Sequence, residues 1–296
     1  MSPPVIDIHE HILPRRGFLR PGRGDTFITA AEMVALMDRV GIGRAVVLPI
    51  VSPESPHVVQ TVEEAFEACD QFPGRFIKFC NVDPRQGCNL RMDFVPVLEY
   101  YKSLGAKGLG EITANLWWHD PRVRNLFRAC EAVDLPVIFH MATRNYNTYG
   151  LISERGLVNL EEALQAWPRL QFLGHSQGFW AEVGPEPTLT ERESYPSGPV
   201  KPGGRLPELL RRYPNLWGDL SAGSGLNAVR RDPEWGYAFL EEFQDRLLMG
   251  LDVCWPWNDK CELLTFLREG RAKGRISAEA FDKIMGGNAT RLLRLE

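Results

Sequence analysis

Near the N-terminus, Val5-Ile6-Asp7-Ile8-His9-Glu10-His11 reads as a short buried strand ending in two histidines two residues apart. Side chains alternate faces along a strand, so His9 and His11 point the same way, with Asp7 one step behind them. Two imidazoles on one face at a strand end grip a transition metal. Zinc, iron and manganese all suit such donors, and a neighbouring carboxylate can orient a ligand ring. Alone, His-x-His is a weak signal, since polar residues are ordinary at strand ends. The rest of the chain strengthens it by setting a His or an acid where apolar runs stop. Glu111 falls near the end of the run from Ala106, His140 ends Pro136-Val137-Ile138-Phe139, His175 ends the run from Leu170, and Asp252 follows Leu251. The chain has 6 histidines, and four of them lie at such ends, so the individual readings support one another. His57 and His119 fall in loops and read as surface residues.

Elements of regular length must carry these residues. Apolar, β-branched runs begin near residues 5, 44, 76, 106, 136, 170, 215 and 247, with an amphipathic stretch between successive runs. Thr29 reads as the N-cap of a helix through Val40 with Gly41 as its stop, and Asp120-Pro121 opens another. Strand then helix, repeated eight times, predicts a parallel (β/α)8 barrel, a TIM barrel of the α/β class, over residues 1–296 as a single domain. In that fold the active site lies at the C-terminal ends of the strands, where the His and acid residues fall. Residues 176–202 form the longest stretch without periodicity and are rich in Pro and Gly. They read as a lid loop, because loops of that length usually have a function of their own.

Composition narrows the partners. Hydrophobic residues make up 44% and charged residues 24%, ordinary for a globular protein with a sizeable core. The formal net charge of −4 gives no reason to expect nucleic acid or an anionic membrane as partner. The longest apolar runs, such as Ala45 to Val51, are too short to span a bilayer, and no secretory signal precedes the first strand. Cys69, Cys80, Cys88, Cys130, Cys254 and Cys261 form no Cys-x-x-Cys pair and read as the reduced thiols of a cytoplasmic protein. Cys254 stands out because it falls beside Asp252, though a small half-buried residue is its plainer reading.

The whole set resembles the amidohydrolase superfamily: His-x-His after strand one, His after strands five and six, Asp after strand eight. Val5 to His11, Leu173-Gly174-His175 and Ile284-Met285-Gly286-Gly287-Asn288-Ala289-Thr290-Arg291-Leu292 resemble more narrowly its amidohydrolase 2 branch, which includes aminocarboxymuconate semialdehyde decarboxylase-like enzymes. Gly250-Leu251-Asp252-Val253-Cys254-Trp255 departs from the branch, which usually has a small or hydroxyl residue before the Asp. No lysine stands at the end of strand four, so the carbamylated lysine of some relatives is not evident.

The resemblance implies a metal-dependent enzyme with His9, His11, Glu111, His140 and Asp252 as ligands of one or two divalent ions, zinc first, with manganese or iron as alternatives. On strand four, alternation puts Lys107, Leu109 and Glu111 on one face, with Glu111 at the rim in a coordinating or bridging place. A divalent ion of this kind brings the pKa of a water it binds to about 7, making hydroxide available at neutral pH. Asp252 would take the proton of that water and pass it on, and His175 would polarise the substrate or act as acid–base group. The implied reaction is hydrolysis of a C–O or C–N bond in an ester, lactone or amide. The alternative is non-oxidative decarboxylation of a similar carboxylated substrate. Arg15, Arg16, Arg20 and Arg23 after strand one, and Arg144 and Asn145 after strand five, offer clamps for a substrate carboxylate. Trp117, Trp118, Phe179, Trp180, Trp255 and Trp257 suit an apolar or ring portion, or alternatively rim packing or a homodimer contact. From these rim groups Arg15, Arg144, Asn145, Trp180 and Trp255 are selected as substrate-binding residues. The expected partner is a small molecule.

Overall fold

A computed structural model describes residues 4–20, 22–54, 59–87 and 89–295; His57 and Cys88 lie outside them. Eight parallel strands form the barrel: Ile6–Glu10, Arg44–Val47, Phe76–Lys78, Leu109–Ile112, Val137–Ala142, Phe172–His175, Leu216–Asp219 and Leu247–Leu248. They pair in sequence order, one to three and four to eight. The two arcs join where Cys80 N–H donates to Gly108 O and Gly110 N–H to Cys80 O, at 3.0 and 2.9 Å. The barrel closes where Ile8 N–H donates to Met249 O at 2.9 Å. Among the strand starts, the largest offset from expectation is at the fourth, which begins at Leu109 rather than Ala106.

The interior is filled by Ile6, Ile8, Val46, Leu48, Ile77, Phe79, Ile138, Leu173, Trp217 and Leu248, a packed plug under the C-terminal face. A larger layer, with Leu109, Phe127, Phe139 and Leu240 among its members, seals the barrel against the surrounding helices. The first helix is Ala30–Val40. Thr29 and Glu32 form a capping box at its start, and Gly41 ends it in the left-handed conformation, as expected from sequence. Helices Arg205–Arg212, Ala222–Arg230 and Pro233–Glu242 are not singled out by periodicity. The five described cysteines are free. Among the described residues, no helix is long and apolar enough to cross a membrane.

One expectation fails locally. Lys107 and Glu111 do not share a face: Lys107 is exposed, Leu109 packs in the outer layer, and Glu111 is buried. The register of strand four against strand five shifts between Leu109 and Ile112, which breaks the two-residue alternation. Residues 176–202, expected as a lid loop, carry short helical elements of their own. Gln177–Trp180, Ala181–Val183 and Leu189–Arg192 are helical turns, and Phe179 and Trp180 are fully buried. Gly174 makes this docking possible, since a Cβ there would lie 2.3 Å from the Phe179 ring. Removing the segment would therefore open the core.

Candidate active site

The register of strand one also shifts between Asp7 and Glu10, so His9 joins Ile6 and Ile8 on the barrel side. Each histidine has one nitrogen committed. His9 Nδ1 lies 2.6 Å from Asp219 Oδ2, and His11 Nδ1 lies 2.8 Å from Leu48 O. A carboxylate and a carbonyl only accept, which puts the ring proton on Nδ1 in both residues. The two Nε2 lone pairs then face each other at 3.2 Å. Only a proton or a cation between them makes that approach favourable.

Further donors surround the same point. Glu111 Oε2 lies 3.7 Å from His9 Nε2 and 3.6 Å from His11 Nε2; Asp252 Oδ1 lies 3.9 and 3.6 Å from the same atoms. Ligands ~2.1 Å from a tetrahedral ion stand about 3.4 Å apart, so these separations enclose room for one. Burial disfavours a charged His9, but Asp219 and Asp252 outweigh it and raise its pKa well above the usual value. The carboxylates here call for positive charge, and the donor set fits a divalent cation.

Glu111 serves a second group through its other oxygen. Its Oε1 lies 2.8 Å from His140 Nδ1 and 3.9 Å from His175 Nε2. Burial pushes the Glu111 carboxyl up, yet the surrounding His11, His140 and His9 rings hold it well below its usual range. Gly110 permits this placement: its φ is 140°, and a Cβ would lie 2.5 Å from Ile138 O. His175 receives different treatment. Burial, then the charge of His9, lowers it to about 4, so the ring is neutral at pH 7. Its Nδ1 lies 2.9 Å from Ser221 Oγ, and its Nε2 lies 3.8 Å from Asp252 Oδ2.

Asp252 is fixed by its backbone, with φ of 55° and its N–H donating to His9 O at 3.0 Å. Behind it, Asp7 Oδ1 accepts from Leu251 N–H at 3.1 Å and Glu10 Oε2 from Val253 N–H at 2.9 Å. Burial pushes Asp7 up to about 6, and burial with the Asp7 charge pushes Glu10 well above its usual range. The two acids tie strand one to the turn that carries Asp252. Asp7 is thus a strand clamp, and the carboxylate that orients His9 is Asp219.

Asp219 was legible by the same strand-end rule, because it closes Leu216–Asp219 as Asp252 follows strand eight. Ser221, Glu10 and Tyr149 carry no comparable sequence signal. The Tyr149 ring sits 4.3 Å from that of His140 and covers it.

A cavity of about 430 Å³ opens over these groups, with His140, His175, Asp252, Tyr149, Tyr195 and Trp255 among its walls. Among the described residues, Lys260 is the one Lys or Arg lining it. Arg20 is buried, chelates Asp25 at 2.6 Å through two nitrogens, and stacks 3.3 Å from the Trp255 ring centroid. The other selected rim residues lie elsewhere. Arg15 is exposed and 3.4 Å from Glu67, and Arg144 is 3.2 Å from Glu193. Asn145 lines a neighbouring hollow with Glu54 and Arg85. Trp180 lies in the core, its Nε1–H donating to Asp219 O at 2.9 Å. Trp118 and Phe179 are likewise core residues, while Trp257 is exposed.

The amidohydrolase family model (Amidohydro_2) matches residues 6–295. The chain belongs to this family. It is an enzyme, and the family is metal-dependent. No curated protein matches the chain in sequence. Among solved structures, it resembles a probable 2-pyrone-4,6-dicarboxylic acid hydrolase from Acinetobacter baumannii, at 16% identity and TM-score 0.58 over 99% of this chain and 100% of that one. An amidohydrolase from Burkholderia multivorans with bound zinc matches at 17% identity and TM-score 0.58, covering 99% and 100%. A 5-carboxyvanillate decarboxylase from Novosphingobium aromaticivorans with bound manganese matches at 15% and TM-score 0.57, covering 99% and 98%. These likenesses extend the barrel over the entire chain; hydrolases and a decarboxylase share it.

Proposed function

We propose that the enzyme is a metal-dependent hydrolase of a C–O or C–N bond, ester, lactone or amide, in a small ring-containing substrate. The observation that carries this is the pair of Nε2 lone pairs at 3.2 Å, faced by Glu111 and Asp252. His9, His11, Glu111 and Asp252 would hold a divalent ion, zinc first, with His140 beside Glu111 Oε1 as a further donor. When bound, such an ion acidifies water and polarises a carbonyl. The rest falls to side chains. Asp252 Oδ2 takes the proton of the attacking water and returns it to the leaving oxygen or nitrogen. Ser221 donates to His175 Nδ1, so that His175 presents Nε2–H to the substrate carbonyl oxygen. Tyr149, Tyr195 and Trp255 flank a ring and exclude water, and Lys260 meets a single carboxylate at the mouth.

The test is the metal content of protein purified without added metal, followed by lactones, esters, amides and carboxylated rings with detection of both acid and CO2. Stoichiometric metal and acid release without CO2 supports the hydrolase. CO2 release from a carboxylated ring replaces it with the lyase reading, and a metal-free, inert chain removes both.

A further inference from the structure

Cys254, two residues beyond Asp252, is left unused by this chemistry. Its Sγ lies 3.1 Å from Asp252 Oδ1, and ligand atoms of His11, Asp252 and Cys254 all fall within 4.8 Å of one another. It lines the cavity, so it stands on the open side of the donor set. His11 supplies the independent sign of a ligand here. It is buried, its Nδ1 proton is committed to Leu48 O, and its Nε2 lone pair points into the group.

We propose that Cys254 is a sulfur ligand of the metal centre, joining His11 Nε2 and Asp252 Oδ1 around a soft divalent cation. This rests on the metal reading above and adds to it a preference of this chain. Zinc binds sulfur at ~2.3 Å and nitrogen or oxygen at ~2.0–2.2 Å, so ligands of one ion stand up to about 4.5 Å apart. Cys254 Sγ and Asp252 Oδ1 at 3.1 Å, and Asp252 Oδ1 and His11 Nε2 at 3.6 Å, lie within that reach. On binding, the S–M bond forms, the S–H bond breaks heterolytically and the proton leaves to solvent, with no change of oxidation state. A thiolate donor favours zinc or cobalt over manganese, which oxygen and nitrogen donors accept more readily. A thiol that only donates a hydrogen bond to Asp252 gives no such preference.

Cobalt distinguishes the two roles without any substrate. The full chain is loaded with Co²⁺, the ion is counted by mass spectrometry, and the near-ultraviolet spectrum is read for sulfur-to-cobalt charge transfer. The wild type is expected to show the band at one or more equivalents of cobalt. Cys254→Ser and Cys254→Ala should lose it while keeping cobalt, and their preference for zinc over manganese should fall about tenfold, the lower end of what altering a metal site's surroundings does. Cobalt bound without the band in the wild type overturns the sulfur ligand and leaves the metal reading standing. A band that survives in a well-folded Cys254→Ser overturns it too, by assigning the sulfur elsewhere. A chain that takes up no cobalt, zinc or manganese overturns the metal reading and this inference together.

Discussion

The floor of the site and its rim handle charge in opposite ways. On the floor, His9, His11, Glu111 and Asp219 are buried, and each is held by two or more neighbours. Their charges are left facing a common point. At the rim, Arg15, Arg144 and Arg20 each meet a carboxylate of the protein itself. The floor is built to receive charge, and the rim arginines have already met theirs. Tyr149, Tyr195, Trp255 and Lys260 line the cavity instead.

The largest effect is expected on the floor, from Asp252→Asn. The amide keeps the shape but cannot take a proton at neutral pH, and loss of a positioned acid–base group typically costs ~10²–10⁴-fold in rate. The variant should retain at least part of its metal while kcat collapses. His9→Ala should differ, losing metal first and regaining part of its activity in excess metal. Rates and metal content of both variants decide the matter. An Asp252→Asn enzyme that holds metal and works near the wild-type rate would hand the proton to His175 or Glu111.

Trp180 divides the floor's support from the rim. Its burial and its bond to Asp219 O mark it as a core residue, so Trp180→Ala should cost about 3–5 kcal/mol of stability. Urea or thermal unfolding should show the loss, with KM of the folded fraction near wild type. A raised KM at unchanged stability would return Trp180 to the substrate. Asp219→Asn comes next. The amide still accepts from His9 but no longer places a negative charge behind the ligand ring, and such outer partners typically cost ~10–100-fold in metal affinity. Competition with a chromophoric chelator measures it.

This contrast also explains what the sequence could tell. Strand ends were legible because each barrel strand is a short apolar run, and chemistry-bearing residues gather where those runs stop. His9, His11, Glu111, His140, His175 and Asp252 all surround one cavity floor, and Asp219 obeys the same rule. Strand faces were not legible at two places. The register shifts in strands one and four are backbone events, and they take Glu111 off the face of Leu109 and Asp7 off that of His9. Loop residues were the least legible of all. An arginine looks the same in sequence whether it awaits a ligand or already has Glu67 or Glu193 beside it. A tryptophan in a Pro- and Gly-rich stretch gives no sign that the stretch folds back into the core, as Phe179 and Trp180 do.

The smallest effect should come from the rim arginines. Exposed ion pairs contribute ~0.2–1 kcal/mol, and removing one partner leaves a solvated charge rather than a buried one. Arg15→Ala and Arg144→Ala should thus shift unfolding midpoints little and leave KM within about twofold, since a loss under 0.5 kcal/mol changes an equilibrium by about that factor. Lys260→Ala is the matched control, because Lys260 lines the cavity while the two arginines do not. It should raise KM for a carboxylated substrate and leave its neutral methyl ester unaffected. If Arg144→Ala instead raised KM tenfold for the acid alone, Arg144 would have to leave Glu193 in the complex and swing over the cavity. The loop after strand five, not the turn after strand eight, would then set the preference for anionic substrates.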